Sequence, residues 1–224
     1  MLVSSHVLCK VENLADAVGT WRSAGFEVQW GADPATSINA LIWFESGPFI
    51  ELINARGAQP AAAYRPHLPS GMIERFERWL AGPEGWCDLC LEAQGDILPH
   101  LDRLKRAGVD AFGPIVGSRT PPGGETINIQ TCFPISATLP FFMGAYVPDA
   151  RPPTVNHPNG ATRISRIRLS IPADCDSAMA TLIGSGDGCL EYTHGNYELR
   201  SITLNGLARS IAPDLLTGAL ISLP

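Results

Sequence analysis

The sequence predicts an α+β protein with two tandem units of strand, helix and three strands, followed by a truncated third unit. Segments that alternate polar and apolar residues, typical of strands, recur beside segments with apolar residues at helical spacing. The predicted helix of each unit ends at a glycine, and these glycines, Gly25, Gly108 and Gly184, recur at intervals of roughly 80 residues. The repeat indicates duplication of one strand–helix–strand unit.

The composition of the 224-residue chain is that of a soluble globular protein, with 45% hydrophobic and 17% charged residues. Its net charge of −6 argues against a nucleic-acid partner, which a basic surface usually binds. No apolar run approaches the roughly 20 residues of a membrane span. The N-terminus lacks the basic and apolar parts of a secretory signal, so the cytoplasm is the expected compartment.

Six cysteines are expected to be buried thiols and not a disulfide scaffold. Cys87 and Cys90 have the two-residue spacing of zinc and redox sites, but no second such pair exists. The pair lies in a predicted strand, where positions i and i+3 point to opposite faces. Packed thiols are therefore favoured over a metal site there.

The first unit covers residues 1–55. A strand over Ser5–Lys10 contains His6, and Asn13 is placed to cap the helix that follows. The apolar face of that helix comprises Leu14, Ala17, Val18 and Trp21. Three strands are predicted after Gly25, over residues 26–30, 38–45 and 49–53, separated by the turn signals Asp33-Pro34 and Ser46-Gly47-Pro48.

A linker over residues 56–84 contains an amphipathic helix with Ser70 as N-cap. Its apolar face is predicted from Ile73, Phe76, Trp79 and Leu80. The second unit, residues 85–147, repeats the order with strands over 87–92, 111–116, 125–132 and 139–143. A Pro-rich linker, 148–160, is expected to be extended. The third unit, 161–224, shows one strand, one helix and two strands, and is expected to act as a lid or a dimer contact.

The ordered set of segments resembles the vicinal oxygen chelate (VOC) superfamily, and more narrowly its glyoxalase-like branch (the glyoxalase/bleomycin-resistance/dioxygenase fold). The residues that carry the resemblance are Ser5-His6-Val7, Asn13–Ala17, Ala24-Gly25-Phe26, Ile38–Ile42, Phe49–Ile53, Ser118-Arg119-Thr120 and Leu139–Phe142. The resemblance implies βαβββ modules that form a curved mixed sheet around a cleft. It also implies a small-molecule ligand and a homodimer.

In that superfamily, each module presents a histidine or glutamine and a glutamate to one divalent metal. The resemblance therefore implies that His6 and Glu51 are the first module's pair, suited to Fe, Mn, Zn, Ni or Co. When the two modules are aligned, Leu89 stands opposite His6 and Met143 stands opposite Glu51. A shift of one residue on the first strand would place Asp88 or Cys90 opposite His6. Two alternatives stay open: a reduced metal site completed by Asp33, His67 or the substrate, and a metal-free acid–base pair.

Five further positions are candidates for contact with the ligand. Arg119 precedes a Pro-Gly loop, where it is expected to clamp a ligand oxygen, or else to lie solvated. Aromatic residues concentrate on the predicted cleft strands and favour a flat, mostly apolar ligand. The substrate-binding residues predicted are Trp30, Trp43, Phe141 and Asp33.

The resulting functional hypothesis is a glyoxalase-like enzyme of the lyase, isomerase or hydrolase type that acts on a small carbonyl compound. His6, Glu51 and Arg119 are its predicted catalytic residues. The alternative is a non-catalytic binding or resistance protein of the same superfamily, which the lack of second-module ligands favours. A third alternative is an interaction module that uses the third unit.

Overall fold

The structure is a computed structural model that describes residues 1–186, 188–216 and 218–223. The strands in this part of the chain are β1 (Leu2–Val11), β2 (Gln29–Trp30), β3 (Asn39–Ile42), β4 (Phe49–Asn54), β5 (Gly85–Ala93), β6 (Ala111–Arg119), β7 (Ile127–Pro134), β8 (Phe141–Met143), β9 (Arg163–Ile171), β10 (Leu190–His194), β11 (Glu198–Asn205) and β12 (Ile221–Ser222). The helices are α1 (Leu14–Ser23), α2 (Ser70–Ala81), α3 (Leu98–Arg106) and α4 (Asp176–Ile183). None of these helices is long and apolar enough to cross a membrane.

Helix α1 begins as the sequence predicts. The side-chain oxygen of Asn13 accepts hydrogen bonds from the backbone N–H groups of Ala15 and Asp16, at 3.0 and 3.3 Å. The predicted apolar face is buried, namely Leu14, Ala17, Val18 and Trp21. Gly25 follows with a φ of +85°, and a Cβ added there would lie 2.8 Å from that of Asn159. Only glycine fits this turn without a shift of the neighbouring segment.

The sheet confirms the predicted α+β class with tandem βαβββ modules. Eight strands form one mixed sheet in the order β2–β3–β4–β1–β5–β8–β7–β6. Strand β1 is parallel to β4, β5 is parallel to β8, and β1 and β5 run antiparallel at the centre. The two modules therefore have the same strand topology. The strand predicted over residues 26–30 is shorter than expected, since only Gln29–Trp30 pairs.

The curled sheet has two different faces. We call the face that carries His6 and Glu51 the inner face, and the face that carries Val7 and Ile50 the outer face. The outer face belongs to one large core with α1, α3, α4 and the second sheet. The inner face has two smaller clusters, one under α2 and one around Trp43. The inner face is thus the side on which a cleft remains.

Helix α2 packs on the inner face with a different orientation from the one predicted. It begins at Ser70 after the N-cap Pro69, so Ser70 is not the cap. Leu80, predicted as buried, is 37% exposed. The buried side chains are Met72, Arg75, Phe76 and Trp79. Arg75 turns inward because Asp88 on β5 pairs with it, with 2.5 Å between Nη1 and Oδ2, and both side chains are fully buried.

The third unit has the predicted strand, helix and two strands and, in addition, the short strand β12, and its topology differs from that of the modules. Its sheet order is β10–β9–β11–β12, with β9 parallel to β10 and antiparallel to β11. In the two modules, by contrast, the first strand pairs with the last. The unit packs on the outer face, which does not fit the expected lid over the cleft. Its Tyr197 hydroxyl donates to Asp88 Oδ1 at 2.5 Å.

The Pro-rich segment after β8 packs against the first module. Arg151 donates to the backbone oxygens of Phe44 and Gly47, at 2.5 and 2.6 Å. His157 is buried, with only 4% of its surface exposed. Its Nδ1 accepts from the Glu27 N–H at 2.9 Å, and its Nε2 lies 2.9 Å from the Trp43 oxygen. These contacts hold the segment over the edge of the cleft.

Candidate active site

His6 and Glu51 lie side by side on the inner face. Their strands β1 and β4 are neighbours, and Glu51 is in register with Leu8, one step along the same face from His6. His6 Nε2 lies 3.1 Å from Glu51 Oε2. The side chains are 4% and 13% exposed, so the pair sits in a largely desolvated floor.

Glu51 is held as an anion. Burial would raise the pKa of its carboxyl group, but the hydrogen bond and charge of His6, the Asn39 amide and the charge of Arg119 together lower it. Asn39 Nδ2 donates to the second oxygen, Oε1, at 2.7 Å. Because both carboxylate oxygens accept a hydrogen bond, Nε2 of His6 carries a proton toward Glu51. The ring atom left for other chemistry is Nδ1.

Ser5 joins His6 on the inner face through a β-bulge. The register between β1 and β5 shifts between Ser4 and His6, so strict alternation is broken at this point. Ser5 Oγ lies 3.2 Å from His6 Nδ1 and 3.0 Å from Glu92 Oε2. Sequence reasoning missed Ser5 and Glu92, because a strict period of two places Ser5 on the outer face and no residue pattern signals the bulge.

A cavity of 410 Å³ opens beside this group. Ser5 and Glu92 supply polar groups to its lining, and Trp43, Phe49 and Tyr146 supply an aromatic wall. The Phe49 ring also stacks on the His6 ring, with 4.7 Å between centroids. A cavity with one aromatic wall and a few polar groups suits a small, flat ligand.

Arg119 closes the curled sheet from the opposite edge. It lies at the end of β6, yet its Nη1 donates to the backbone oxygen of Gly31, just after β2, at 3.3 Å. The guanidinium lies over the Tyr146 ring at 5.4 Å. Its Nη2 is buried and has no hydrogen-bond partner among the described residues. A buried donor of this kind is costly to leave unpaired, which favours an acceptor from a ligand.

The structure does not bring all of the predicted substrate-binding residues to this site. Trp43 lines the cavity. Phe141 is buried and points its edge at the His6 ring, 6.0 Å between centroids, on the side filled by α2. Trp30 pairs with Ala40 and packs into the outer core, so that prediction disagrees with the structure. Asp33 forms an exposed turn, where its Oδ1 accepts from the N–H of Ala35 at 2.9 Å.

The second module does not repeat the polar pair. His6 is in register with Phe49, and Cys90 is in register with Phe141, so Cys90 and Met143 occupy the positions of His6 and Glu51. The Leu89 alignment was one residue off. Burial and nearby carboxylates raise the pKa of the Cys90 thiol well above its ordinary value, and the thiol donates to the Leu91 oxygen.

This donor set does not fit the divalent metal that the superfamily implies. Of the four matching positions, only His6 and Glu51 hold donors for such an ion, since the protonated thiol of Cys90 and the thioether of Met143 are poor ligands for a hard or borderline cation. Within the described ranges, no group of three or more His, Cys, Asp and Glu side chains is placed to hold a metal ion. His67, the other donor considered, lies in a short 3-10 turn, Arg65–His67.

A larger cavity of 1190 Å³ lies elsewhere, between α1 and residues 158–159 and 208–212. Its lining consists mainly of small residues and backbone, and Asp16 and Arg209 are its charged side chains. It holds none of the convergent polar groups that surround His6. The chemistry therefore favours the smaller cavity on the inner face.

A curled sheet of paired βαβββ modules, with a polar pair on its inner face, is the architecture of the VOC superfamily. The family model described as "Glyoxalase-like domain" matches residues 5–182. The chain therefore belongs to the glyoxalase-like domain family, within the VOC superfamily. None of the curated proteins matches this sequence.

Solved structures agree on the fold. A hypothetical protein from Staphylococcus aureus is similar over 100% of this chain and 99% of its own, with a TM-score of 0.71 at 12% identity. A xylose isomerase-like TIM barrel/4-hydroxyphenylpyruvate dioxygenase fusion protein is similar over 90% of this chain and 36% of its own, with a TM-score of 0.50 at 14% identity. A methylmalonyl-CoA epimerase has a TM-score of 0.42 at 15% identity, over 64% of this chain and 93% of its own. At these identities, the first two similarities show the fold alone.

Proposed function

We propose that this chain is a glyoxalase-like enzyme that transfers a proton on a small carbonyl compound with a flat apolar or aromatic part. The observation that carries the proposal is the 3.1 Å contact between His6 Nε2 and Glu51 Oε2 beside an aromatic-walled cavity. A carboxylate that holds an imidazole in one tautomer is a common arrangement for general acid–base catalysis. The reaction class is that of an isomerase or lyase, in which a proton leaves a carbon next to a carbonyl group.

Each residue has one task in this proposal. Glu51 fixes the Nε2–H tautomer and stabilises the positive charge when His6 takes a second proton on Nδ1. The rings of Trp43, Phe49 and Tyr146 bind the flat part of the ligand. Arg119 offers its unpaired Nη2 to an oxygen that gains negative charge, or to a carboxylate of the ligand.

The proposal uses no divalent metal, because the donor set is incomplete. Treatment with EDTA followed by dialysis should leave the activity unchanged. A loss of activity that Mn²⁺ or Zn²⁺ restores would contradict this part of the proposal.

The test is hydrogen–deuterium exchange at the carbon next to the carbonyl, followed by ¹H NMR in D₂O. Phenylacetone and phenylpyruvate serve as probes, one without and one with a carboxylate. The wild-type protein should accelerate exchange, and His6→Gln should lower the rate by about 10²–10⁴-fold. Arg119→Gln should weaken the binding of phenylpyruvate more than that of phenylacetone.

A second candidate function is non-catalytic binding, favoured by the aromatic wall and by the apolar and thiol side chains at the second module's positions. Saturable binding of both probes without any exchange would support it and overturn the catalytic proposal. The homodimer stays a prediction, which sedimentation analysis would check.

A further inference from the structure

Four side chains from three neighbouring strands form one continuous chain of polar contacts. From β5 to β4 they are Glu92, Ser5, His6 and Glu51. The three contacts are 3.0 Å from Glu92 Oε2 to Ser5 Oγ, 3.2 Å from Ser5 Oγ to His6 Nδ1, and 3.1 Å from His6 Nε2 to Glu51 Oε2. Glu92 and Ser5 line the 410 Å³ cavity, whereas the cavity lining does not include His6 or Glu51. The chain therefore connects the cavity to the buried pair.

The number of hydrogens shared by these four side chains decides which of the three hydrogen bonds can form at the same time. Three contacts of this kind need three hydrogens. A neutral imidazole supplies one and the serine hydroxyl supplies one, while two ionised carboxylates supply none. All three hydrogen bonds can form only when the four side chains together hold one proton more than a neutral imidazole, a serine hydroxyl and two ionised carboxylates supply. The Met143 sulfur, 3.8 Å from Ser5 Oγ, is a weak acceptor and adds no hydrogen.

The additional proton has two arrangements with the same heavy-atom contacts. In the first, it is on Glu92, which donates to Ser5 Oγ, and the serine donates to His6 Nδ1. In the second, His6 is protonated on both nitrogens, Nδ1–H donates to Ser5 Oγ, and the serine donates to ionised Glu92. The two interconvert when the Glu92 proton passes to Ser5 Oγ while the serine proton passes to Nδ1. No bond between heavy atoms changes, and charge is conserved.

We propose that Glu92 is the residue that exchanges a proton with the ligand, and that Ser5 relays this proton to His6 and Glu51. The inference rests on the proposed function for its ligand, but the relay itself belongs to the protein without ligand. The relay starts from the form without the additional proton, in which Glu92 is ionised and Nδ1 is unprotonated. When Glu92 removes a proton from the ligand, Ser5 passes its own proton to Nδ1 and takes the new one from Glu92, so that the additional proton ends on His6. The ligand keeps the electron pair of the broken C–H bond as an enolate. Glu51 then faces the imidazolium that results.

The first experiment measures the relay without any ligand. The ¹⁵N NMR signals of the His6 ring are recorded over a series of pH values in the wild type and in Glu92→Gln. The amide that replaces the carboxylate donates to Ser5 Oγ and leaves the serine proton for Nδ1, so it disfavours the arrangement in which Nδ1 carries a proton. The Nδ1 signal should therefore change to that of a protonated nitrogen at a lower pH in Glu92→Gln than in the wild type, while Nε2 stays protonated.

A matched background separates the relay from a simple charge effect. Glu92→Gln is repeated in Ser5→Ala, where the link is absent, and in Ser5→Thr, where a hydroxyl remains. The difference in pH that Glu92→Gln causes should be smaller in the first background, where only the charge of Glu92 acts, and should persist in the second. No difference in the wild-type background, or an equal difference in the Ser5→Ala background, overturns the relay.

The second experiment uses the exchange assay with phenylacetone. Ser5→Ala and Glu92→Gln should each lower the exchange rate by about 10²–10⁴-fold, and Ser5→Thr should retain it. If the wild type catalyses exchange and Glu92→Gln leaves the rate unchanged, the relay fails while the proposed function stands. If the NMR coupling is present but no probe exchanges, the proposed function fails while the relay stands.

Discussion

The inner faces of the two modules have the same strand topology but carry different side chains. In the first module, His6 and Glu51 form a hydrogen-bonded pair beside an open cavity. In the second, Cys90 and Met143 occupy the matching register positions, and each is at most 2% exposed. The same strand topology therefore supports a polar site on one side and a packed thiol and thioether on the other.

The difference extends from single residues to whole elements. On the second module's side, α2 covers the inner face and Arg75 pairs with Asp88, both fully out of contact with solvent. On the first module's side, Tyr146 and the segment of Arg151 leave a cavity. The comparison indicates that one half of the inner face contributes stability and the other half contributes chemistry.

The largest effect should come from the buried pair under α2. Arg75→Met leaves the Asp88 carboxylate buried without its principal cation, although Trp79 Nε1 and the Tyr197 hydroxyl still donate to it. We expect the free energy of unfolding to fall by about 3–5 kcal/mol, measured by urea denaturation. Arg65→Met removes an ion pair with Glu77 that is 35% and 60% exposed, and should cost less than about 1 kcal/mol. Equal losses in the two variants would contradict the assignment of α2 to the stabilising half.

An intermediate effect is expected from Glu51, and it should depend on pH. The folded state lowers the pKa of this carboxyl group, so its ionised form contributes stability above the unfolded pKa and loses it as the pH falls through the folded value. At pH 7, Glu51→Gln should cost about 1.5–3 kcal/mol, and this difference from the wild type should shrink below about pH 4. Urea midpoints across this range measure it.

The exposed Glu45 provides the control for that series, since Glu45→Gln should leave stability unchanged at every pH. A difference between Glu51→Gln and the wild type that stays constant or grows as the pH falls would show that Glu51 is not a stabilised anion.

The smallest effect is expected at the second module's counterpart of His6. Cys90→Ala removes one buried sulfur, so it should cost about 1 kcal/mol of unfolding free energy and leave the exchange rate unchanged. Because burial raises the pKa of this thiol, it should also resist alkylation by iodoacetamide in the folded protein. A large loss of exchange rate in Cys90→Ala would show that the inner face of the second module also takes part in catalysis, against the division proposed above.

Much of the fold could be predicted from the sequence, because local patterns specify it. Asn13 caps α1 and the spacing of its apolar residues sets the buried face. The placement of His6 and Glu51 on neighbouring strands followed from the order of the segments and the family resemblance. Trp30 was misplaced because its strand has only two paired residues, too few for an alternation to indicate a face. The face of α2 was predicted in part, since Phe76 and Trp79 are buried as expected. Its shift toward Arg75 was missed because no apolar pattern reveals a buried ion pair.

The sequence by itself determined the order of strands and helices, the repeat of the module, and the positions of one imidazole and one carboxylate. Only the tertiary structure decided that Ser5 turns to the inner face, that Glu92 meets it from β5, and that Arg119 reaches Gly31 across the open edge. The physical reason is that periodicity is a property of one segment. A bulge, a register between strands and a contact between sheet edges each depend on two segments that are distant in the chain.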